Sequence, residues 1–304
     1  MYDNMKVEKI KQKGGFFMFK KTLALILAAA TVFCLCSCGK GKDKDDKKTS
    51  SQNTVSRKAV SEKEVVWEDD PIVESEGYNI AAVPAMRDLN YYEEQIAAFE
   101  AQPIEEGKII FYGSSGFTRW STKYGNISLE SALTSSTGER VCINHGFGGS
   151  TMHELCYYYD RAVKPWNPKA LVVTSFLNDY AYYSNEQMMK FVQYLFSRAR
   201  KDFPGIKLYI TDWRPTAKSL TAADVQRRQD MNKLLLAYAK VHPDVKVIEM
   251  SKEPMFYVDS ESAAAGSYTD INKAIFVEDQ IHYTPEGYKR YAEVFKRELA
   301  DVLG

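Results

Sequence analysis

This sequence has few cysteines, no excess of charge of one sign and no long apolar run. The 304 residues include 40 basic and 40 acidic side chains, so the net charge is zero. A nucleic-acid-binding protein normally has a basic excess or a basic face, and this class is therefore set aside. Only Cys142 and Cys156 lie beyond residue 38, and they form no CxxC pair. This spacing argues against a zinc site and against a disulfide framework.

Cys142 lies in an apolar, strand-like run, so we interpret it as a small buried hydrophobic residue. A Cys142–Cys156 disulfide is the alternative in an exported protein. Sequence alone is a weak basis for such a bridge, because its formation depends on the distance and direction of the two side chains.

The longest apolar run, residues 22–37, has 16 residues, whereas a membrane-spanning helix needs about 20. Two lysines, Lys20 and Lys21, precede it, and a basic segment before an apolar one is typical of a signal peptide. The run ends in Leu-Cys-Ser-Cys-Gly, which resembles a bacterial lipobox and implies that Cys38 is diacylated. A plain secretory signal with incidental cysteines is the alternative, and Met18 is an alternative start to Met1.

Residues 39–75 are polar, highly charged at the start and low in hydrophobicity. Such a segment cannot bury enough surface to fold, so we expect a flexible linker. The predicted organisation is a signal peptide with lipobox (1–38), this linker, and one domain over 76–304. The expected location is the outer side of a bacterial cell membrane, to which the N-terminal lipid holds the protein.

From about residue 88 the chain alternates short apolar runs with long amphipathic periods. The predicted strands are 108–113, 140–146, 170–176, 206–212 and 245–250. The predicted helices are 90–101, 150–162, 185–203, 222–241 and 285–303. This alternation indicates an α/β fold with a central parallel five-stranded sheet between two layers of helices. Sites in such sheets form at the carboxyl ends of the strands.

Two strand-end loops carry serine and glycine. Ser115 directly follows a strand that ends in Gly113, where a tight turn would expose it. An ordinary turn or N-cap serine is the alternative. The loop at 146–151 has three glycines without the spacing of a dinucleotide-binding motif and without a P-loop lysine. A tight turn and an anion-binding backbone nest both remain open for it.

Two later loops carry an amide and an acid–histidine pair. Asn178 follows the most apolar strand, where its side-chain N–H can donate to a developing oxyanion or cap a turn. His282 precedes the last helix, for which Thr284 and Pro285 are suitable N-cap and first residues. Among the four histidines, only His282 has an acid, Asp279, at a spacing that lets a turn orient its ring.

In order along the chain, four blocks resemble those of the SGNH hydrolase family, also called GDSL-type esterases and lipases. The blocks are IIFYGSSGFTRW (109–120), INHGFGGST (143–151), VVTSFLNDY (172–180) and VEDQIHYTPEGY (277–288). The resemblance covers about residues 88–304 and implies a flavodoxin-like, three-layer fold. The occurrence of four blocks in order makes the resemblance specific. The α/β-hydrolase alternative is disfavoured, because the sequence lacks the GxSxG elbow.

The resemblance implies ester hydrolysis with Ser115 as nucleophile and with Asp279 and His282 completing a catalytic triad. It also implies an oxyanion hole made by Ser115, Gly149 and Asn178. This chemistry needs neither a metal nor a cofactor. One position departs from the pattern, because Phe176 occupies the place where the family usually has glycine. A bulky ring there would narrow the pocket or mark a non-catalytic binding protein, which is the alternative function.

The substrate is less constrained by the sequence. Tyrosines follow the second and third site loops, at 157–159, 180, 182 and 183. Amphipathic packing accounts for most of them, and a stacking surface for sugar rings is the alternative. We therefore expect a small-molecule or carbohydrate ester as substrate and removal of a small, acetyl-like acyl group. A lysophospholipase-type acyl hydrolase is the alternative.

Overall fold

The computed structural model describes residues 78–174 and 176–304 of the chain. The predicted signal peptide, Cys38 and the predicted linker lie outside these described residues. Within them, no helix is both long enough and apolar enough to cross a membrane.

A sheet of five parallel strands forms the centre of this domain, with the spatial order β2-β1-β3-β4-β5. The strands are β1 (Ile109–Gly113), β2 (Cys142–Gly146), β3 (Ala170–Thr174), β4 (Lys207–Thr211) and β5 (Val245–Ile248). Each lies within one of the five predicted segments. The prediction of a central parallel sheet is therefore confirmed.

The strands form because apolar side chains can be buried on both faces of the sheet. All five positions of β1 are buried, and so are all five of β3. Along β1, Ile110 and Tyr112 belong to one hydrophobic core, while Ile109 and Phe111 belong to the other. Such continuous apolar runs are characteristic of parallel strands covered on both sides.

Helices cover the two faces. The first core contains side chains of α1 (Glu93–Glu100), α4 (Met152–Ala162), α5 (Asn185–Asp202) and α6 (Ala222–Val241). The second core contains side chains of α2 (Ser115–Thr118), α3 (Leu129–Ala132), α7 (Ser260–Ala265), α8 (Pro285–Glu298) and α9 (Ala300–Leu303). The domain is therefore a three-layer α/β/α sandwich, as expected.

Capping residues set several helix starts. Thr284 accepts a hydrogen bond from Gly287 N at 3.1 Å, and Pro285 is the first residue of α8. Both roles were expected from the sequence. The predicted helix over 285–303 is wrong in one respect, because Leu299 leaves the helical region (φ −108°, ψ 14°) and separates α8 from α9.

The two cysteines lie on opposite faces of the sheet. Cys142 belongs to the second core and Cys156 to the first, and both are free and buried. The alternative of a disulfide between them is therefore wrong, because the sheet separates them.

The strand order places the loops of interest together. From β1 the chain moves outward to β2 and then returns to β3 on the other side of β1. Ligands in open parallel sheets bind at such a switch point, outside the carboxyl ends of the strands. Here the loops after β1 and β3 border it.

Candidate active site

Ser115 is the first residue of α2, directly beyond the end of β1. Its backbone N–H is among the donors that a helix start leaves without an intrahelical partner. The turn requires glycine before it, because a Cβ on Gly113 would lie 2.4 Å from the Thr174 carbonyl oxygen. A larger residue would push β1 away from the end of β3.

His282 links Ser115 to Asp279. Its Nε2 lies 2.8 Å from Ser115 Oγ, and its Nδ1 lies 2.6 Å from Asp279 Oδ2. The other carboxylate oxygen of Asp279 accepts the backbone N–H groups of Ile281 and His282, each at 2.9 Å. Gln280, at φ +62°, makes the tight turn that brings these groups together. The structure thus joins Ser115 to His282, 167 residues later in the chain, and through it to Asp279 in one line of hydrogen bonds.

The electrostatics suit proton transfer. Burial lowers the pKa of His282, and the charges of Arg214 and Arg119 add to this, while Asp279 opposes it. The imidazole is therefore neutral at neutral pH. Partial burial raises the pKa of Asp279, but the hydrogen bonds from His282 and Ile281 outweigh this and hold it well below its usual range. A neutral imidazole beside an ionised carboxylate can accept a hydroxyl proton and keep the resulting cation stable.

Two arginines that the sequence analysis missed support this arrangement. Arg119 Nη1 lies 3.2 Å from Asp279 Oδ2. Arg214, buried after β4, donates to the Ile281 carbonyl at 2.8 Å and lies over the Tyr283 ring at 4.9 Å. Arg119 follows Ser115 by one helical turn, and this spacing was the only available signal for it.

Gly149 lies on the glycine-rich loop after β2, with φ +86°. Its carbonyl accepts a hydrogen bond of 2.8 Å from Arg87, and the Tyr92 hydroxyl contacts the Gly148 carbonyl at 3.3 Å. A Cβ on Gly148 would lie 3.8 Å from Ser115 Cβ, so this loop passes directly beside the serine. The loop makes a tight turn, in which Ser150 N donates to the Phe147 carbonyl at 3.3 Å, and this was the first of the two interpretations from the sequence.

The segment that holds this loop is residues 78–92, which we call the N-terminal strap. Besides Arg87, the strap offers the Ile80 carbonyl to His153 Nε2 at 2.8 Å and the Pro84 carbonyl to the Tyr183 hydroxyl at 3.1 Å. The strap therefore contacts both α4 and the loop after β3.

Asn178 lies on the loop after β3 and donates its side-chain amide to the Ser150 carbonyl at 2.9 Å. An amide has two N–H donors, so this bond fixes the side chain and leaves a second donor. The neighbouring Asp179, fully buried, accepts the backbone N–H groups of Met152 at 2.8 Å and Phe176 at 2.9 Å. Asp179 thereby ties this loop to the start of α4, a role the sequence analysis missed.

Phe176 has φ +70°, a backbone conformation that favours glycine. This explains why a glycine suits the position, independently of side-chain size. The Phe176 ring is 0% exposed and belongs to the core under α4 and α5. The ring therefore offers no exposed surface that would narrow an open pocket.

No metal centre is present among the residues that the structure describes, where no three His, Cys, Asp or Glu side chains group together. The described groups at Ser115 are the imidazole of His282, held by the Asp279 carboxylate, and the backbone of the glycine-rich loop. These are the groups that acyl transfer through a serine needs.

No model of a known protein family matches this sequence, and no curated protein is significantly similar to it. Solved structures are similar. A GDSL-like lipase from Bacteroides thetaiotaomicron has 19% identity and a TM-score of 0.55, over 71% of this chain and 100% of that one. A proposed acylhydrolase from Bacteroides fragilis has 20% identity and a TM-score of 0.53, over 73% and 100%. At this identity the likeness concerns architecture, and the chain therefore has the same α/β/α fold as these two proteins.

Proposed function

We propose that this protein is a serine ester hydrolase of the SGNH or GDSL type. The observation that carries the proposal is the line of hydrogen bonds from Ser115 through His282 to Asp279, at 2.8 and 2.6 Å. Its position at the switch point of the sheet and the shared fold of a GDSL-like lipase support it.

In the proposed mechanism, His282 accepts the Ser115 proton as Oγ attacks the ester carbonyl. The imidazolium then donates that proton to the departing alcohol, and the acyl group remains on Ser115. A water molecule, deprotonated by His282 in the same way, releases the acid. Asp279 holds the imidazole with Nδ1 protonated, so that Nε2 faces the serine.

The oxyanion formed in each step would be stabilised by the backbone N–H groups of Ser115 and Gly149 and by the Asn178 amide. The support for this assignment is the proximity of the glycine loop to Ser115 and the fixed orientation of the amide. One such donor is typically worth about 100- to 1,000-fold in rate.

The direct test is hydrolysis of 4-nitrophenyl acetate together with labelling by a fluorophosphonate. We expect the wild-type protein to show both, and Ser115→Ala to lose labelling and at least about 1,000-fold in kcat, as removal of a serine nucleophile does. Ser114→Ala is the matched control, because that adjacent serine makes no capping hydrogen bond through its side chain. It should keep its labelling.

A folded wild-type protein without esterase activity and without labelling would contradict the proposal. It would favour the alternative of a non-catalytic binding protein on the same fold. Full activity in Ser115→Ala would show that the nucleophile lies elsewhere.

For the substrate, we propose a small, acetyl-like acyl group on a carbohydrate or related ester. Two tyrosines beside the site loops support it, because Tyr91 and Tyr182 are 60% and 58% exposed. Exposed rings of this kind offer flat apolar faces with a polar end. Most other tyrosines that follow these loops are packed inside, including Tyr158, Tyr159 and Tyr183.

Acetate release from acetylated xylan, compared with fatty-acid release from a lysophospholipid, tests this choice. We expect acetate release, with a lower kcat/KM in Tyr182→Ala for the polymer and an unchanged value for 4-nitrophenyl acetate. Preferential release of fatty acid would favour the lysophospholipase alternative instead.

We also propose that the mature protein is a bacterial lipoprotein that faces outward from the cell membrane and carries its lipid on Cys38. The lysines, the apolar run and the lipobox-like sequence at 35–39 support this. In a bacterial host, metabolic labelling with an alkyne fatty acid should mark the wild-type protein. Cys38→Ala should abolish the label, and Cys36→Ala should keep it.

A further inference from the structure

Arg228 lies on α6 and is 7% exposed, yet it forms no ion pair or hydrogen bond with any residue of the described ranges. Its Nη1 is enclosed and lacks a partner. Buried charges in proteins are normally paired, because an unpaired one loses its hydration without compensation. The proposed mechanism does not use this arginine.

Aromatic rings surround the guanidinium. Its central carbon lies 4.6 Å from the centre of the Tyr180 ring and 5.3 Å from that of Trp213. The Tyr180 hydroxyl and the Trp213 indole nitrogen are also buried, and neither has a hydrogen-bond partner among the residues that the structure describes. All three groups can donate a hydrogen bond. The arginine and indole nitrogens cannot accept one. The cluster therefore presents unmatched donors and a positive charge.

The charges that act on Arg228 do not neutralise it. The buried acid Asp212 acts on Tyr180, but its carboxylate accepts hydrogen bonds from Ser251 and Asn232. Burial lowers the pKa of the Arg228 guanidinium, and Tyr180 and Asp224 oppose this only in part. Asp224 is one turn earlier on α6, but its carboxylate is hydrogen-bonded to Thr221 Oγ1 at 2.7 Å. Arg227, the adjacent cation, binds the Tyr180 carbonyl at 2.6 Å.

The cluster and the proposed catalytic groups lie at the same edge of the sheet, beyond the carboxyl ends of its strands. Tyr180 is two residues after Asn178, and Trp213 directly precedes Arg214, which holds the His282 loop through the Ile281 carbonyl. The two rings belong to the loops after β3 and β4, which are neighbouring strands. The half-buried Tyr268 ring stacks on Trp213, with the two ring centres 5.2 Å apart.

We infer that Arg228, with Tyr180 and Trp213, recognises an anionic oxygen group, a carboxylate or phosphate, carried by the ester substrate. This inference rests on the proposed function and narrows its substrate class to charged esters. The anionic group is on either the alcohol or the acyl side of the ester bond.

Paired esters that differ only in charge test the inference. On the alcohol side, 4-acetoxybenzoate is compared with 4-acetoxybenzamide. On the acyl side, mono-4-nitrophenyl glutarate is compared with the 4-nitrophenyl ester of glutaramic acid, in which a carboxamide replaces the carboxylate. We expect the wild-type kcat/KM to favour the charged ester of one pair by about 10- to 100-fold, the range of a hydrogen bond to a charged group. Arg228→Met should lose this preference and keep its rate on the neutral ester, and Arg228→Lys should retain part of it.

Lys233→Gln is the control, because Lys233 is an exposed cation on the same helix. It should leave the preference unchanged. Equal loss on charged and neutral esters in Arg228→Met, with Arg228→Lys no better, would overturn the inference and show that Arg228 only packs the rings. No preference in the wild-type protein would also overturn it, while hydrolysis of the neutral esters would leave the proposed function intact.

If no ester is hydrolysed, a measurement of anion binding tests the inference about Arg228 separately from the proposed esterase function. Benzoate and inorganic phosphate should then still raise the Tm of Ser115→Ala, and the double variant with Arg228→Met should lose the shift. Absence of any shift with both anions would contradict the inference independently of activity.

Discussion

At the scale of single residues, charges of both signs meet at His282. Asp279 lies at one ring nitrogen, whereas Arg119 and Arg214 lower the pKa of the imidazole from nearby. The balance keeps the ring neutral, and so able to accept a proton, at a lower pH than an isolated histidine would be. Arg119 is a positioning residue in this scheme, because it acts on the reaction through Asp279 and His282.

Arg119→Gln should raise the pKa of His282, because it removes one of the positive charges that disfavour the imidazolium. The acidic limb of the kcat/KM profile, where the protonated ring is inactive, should move to higher pH. The rate at its plateau should fall by less than about tenfold, since half-exposed ion pairs contribute about 0–1 kcal/mol. Arg161→Gln, which removes an equally exposed arginine from a distant ion pair, should leave the profile unchanged. A shift to lower pH would contradict the electrostatic argument.

Phe176 combines a left-handed backbone with a buried ring, and two substitutions separate these effects. Loss of a core ring costs about 3–5 kcal/mol, and the left-handed conformation costs a non-glycine residue about 1–2 kcal/mol. Both Phe176→Ala and Phe176→Gly should therefore be less stable than wild type in urea unfolding. Phe176→Gly should be the more stable of the two by about 1–2 kcal/mol, the reverse of the usual order. A more stable alanine variant would contradict the strain argument.

The role of a residue was predictable where the residue lies next to the end of a strand or the start of a helix. Ser115, Asn178 and His282 could be chosen because each follows or precedes an element with a clear pattern, and the structure brings Ser115 and His282 into contact. Arg119 and Arg228 could not be chosen, because their significance depends on partners or rings that the fold supplies. Arg119 and Asp279 are 160 positions apart, and no local pattern links them.

At the scale of elements, one glycine on a neighbouring strand lets α2 approach the sheet. A Cβ on Gly146, at the end of β2, would lie 2.6 Å from the Thr118 backbone nitrogen and 2.7 Å from Phe117 Cβ. The position of α2, and with it that of Ser115, therefore depends on the absence of a side chain on the neighbouring strand.

Gly146→Ala should push α2 outward, with a loss of about 1–3 kcal/mol in stability, as overpacking produces. Because Ser115 moves with the helix, kcat for 4-nitrophenyl acetate should fall more than the folded fraction does. Gly205→Ala is the control, since Gly205 has a positive φ of 85°, where alanine is strained, but no atom of the described residues lies within 4 Å of its Cβ position. It should lose stability without loss of kcat. Unchanged kcat in folded Gly146→Ala would contradict this account.

The strands were predictable from their continuous apolar runs, and the long helices from their length and from the capping residues at their starts. The helix over 222–241 matches α6, which begins after a Thr221 capping box. Short elements such as α2, α3 and α7 were missed, because four to six residues carry no period. The break at Leu299 was missed because the amphipathic pattern continues across it.

At the scale of the whole molecule, stability depends on a buried acid away from the serine. Asp212, after β4, is 1% exposed and accepts hydrogen bonds from Ser251 N at 3.0 Å and Asn232 Nδ2 at 2.8 Å. Burial raises its pKa to about 7 against these hydrogen bonds. The folded state therefore holds this proton more tightly than the unfolded chain does.

A raised carboxyl pKa contributes stability that is fully present below pH 4 and is lost as pH rises through 7. The variant Asp212→Asn has no carboxyl group at this position. Its free energy of unfolding should therefore not show this decrease as the pH rises. Relative to Asp212→Asn, the wild-type protein should lose up to about 4 kcal/mol between pH 4 and pH 8, at about 1.4 kcal/mol per unit of pKa. Urea unfolding at several pH values measures the difference. Parallel pH curves for the two proteins would contradict the raised pKa.

The N-terminal strap connects the chain before residue 78 to the glycine-rich loop beside Ser115. Arg87 donates a hydrogen bond to the Gly149 carbonyl. The strap is also covalently continuous with the chain that precedes residue 78. Tension applied along the chain from that side would reach the hydrogen bonds of the strap before it reached any strand of the sheet. The loop beside Ser115 would therefore loosen under a load that the core withstands, and a pulled molecule would lose its site before it lost its fold.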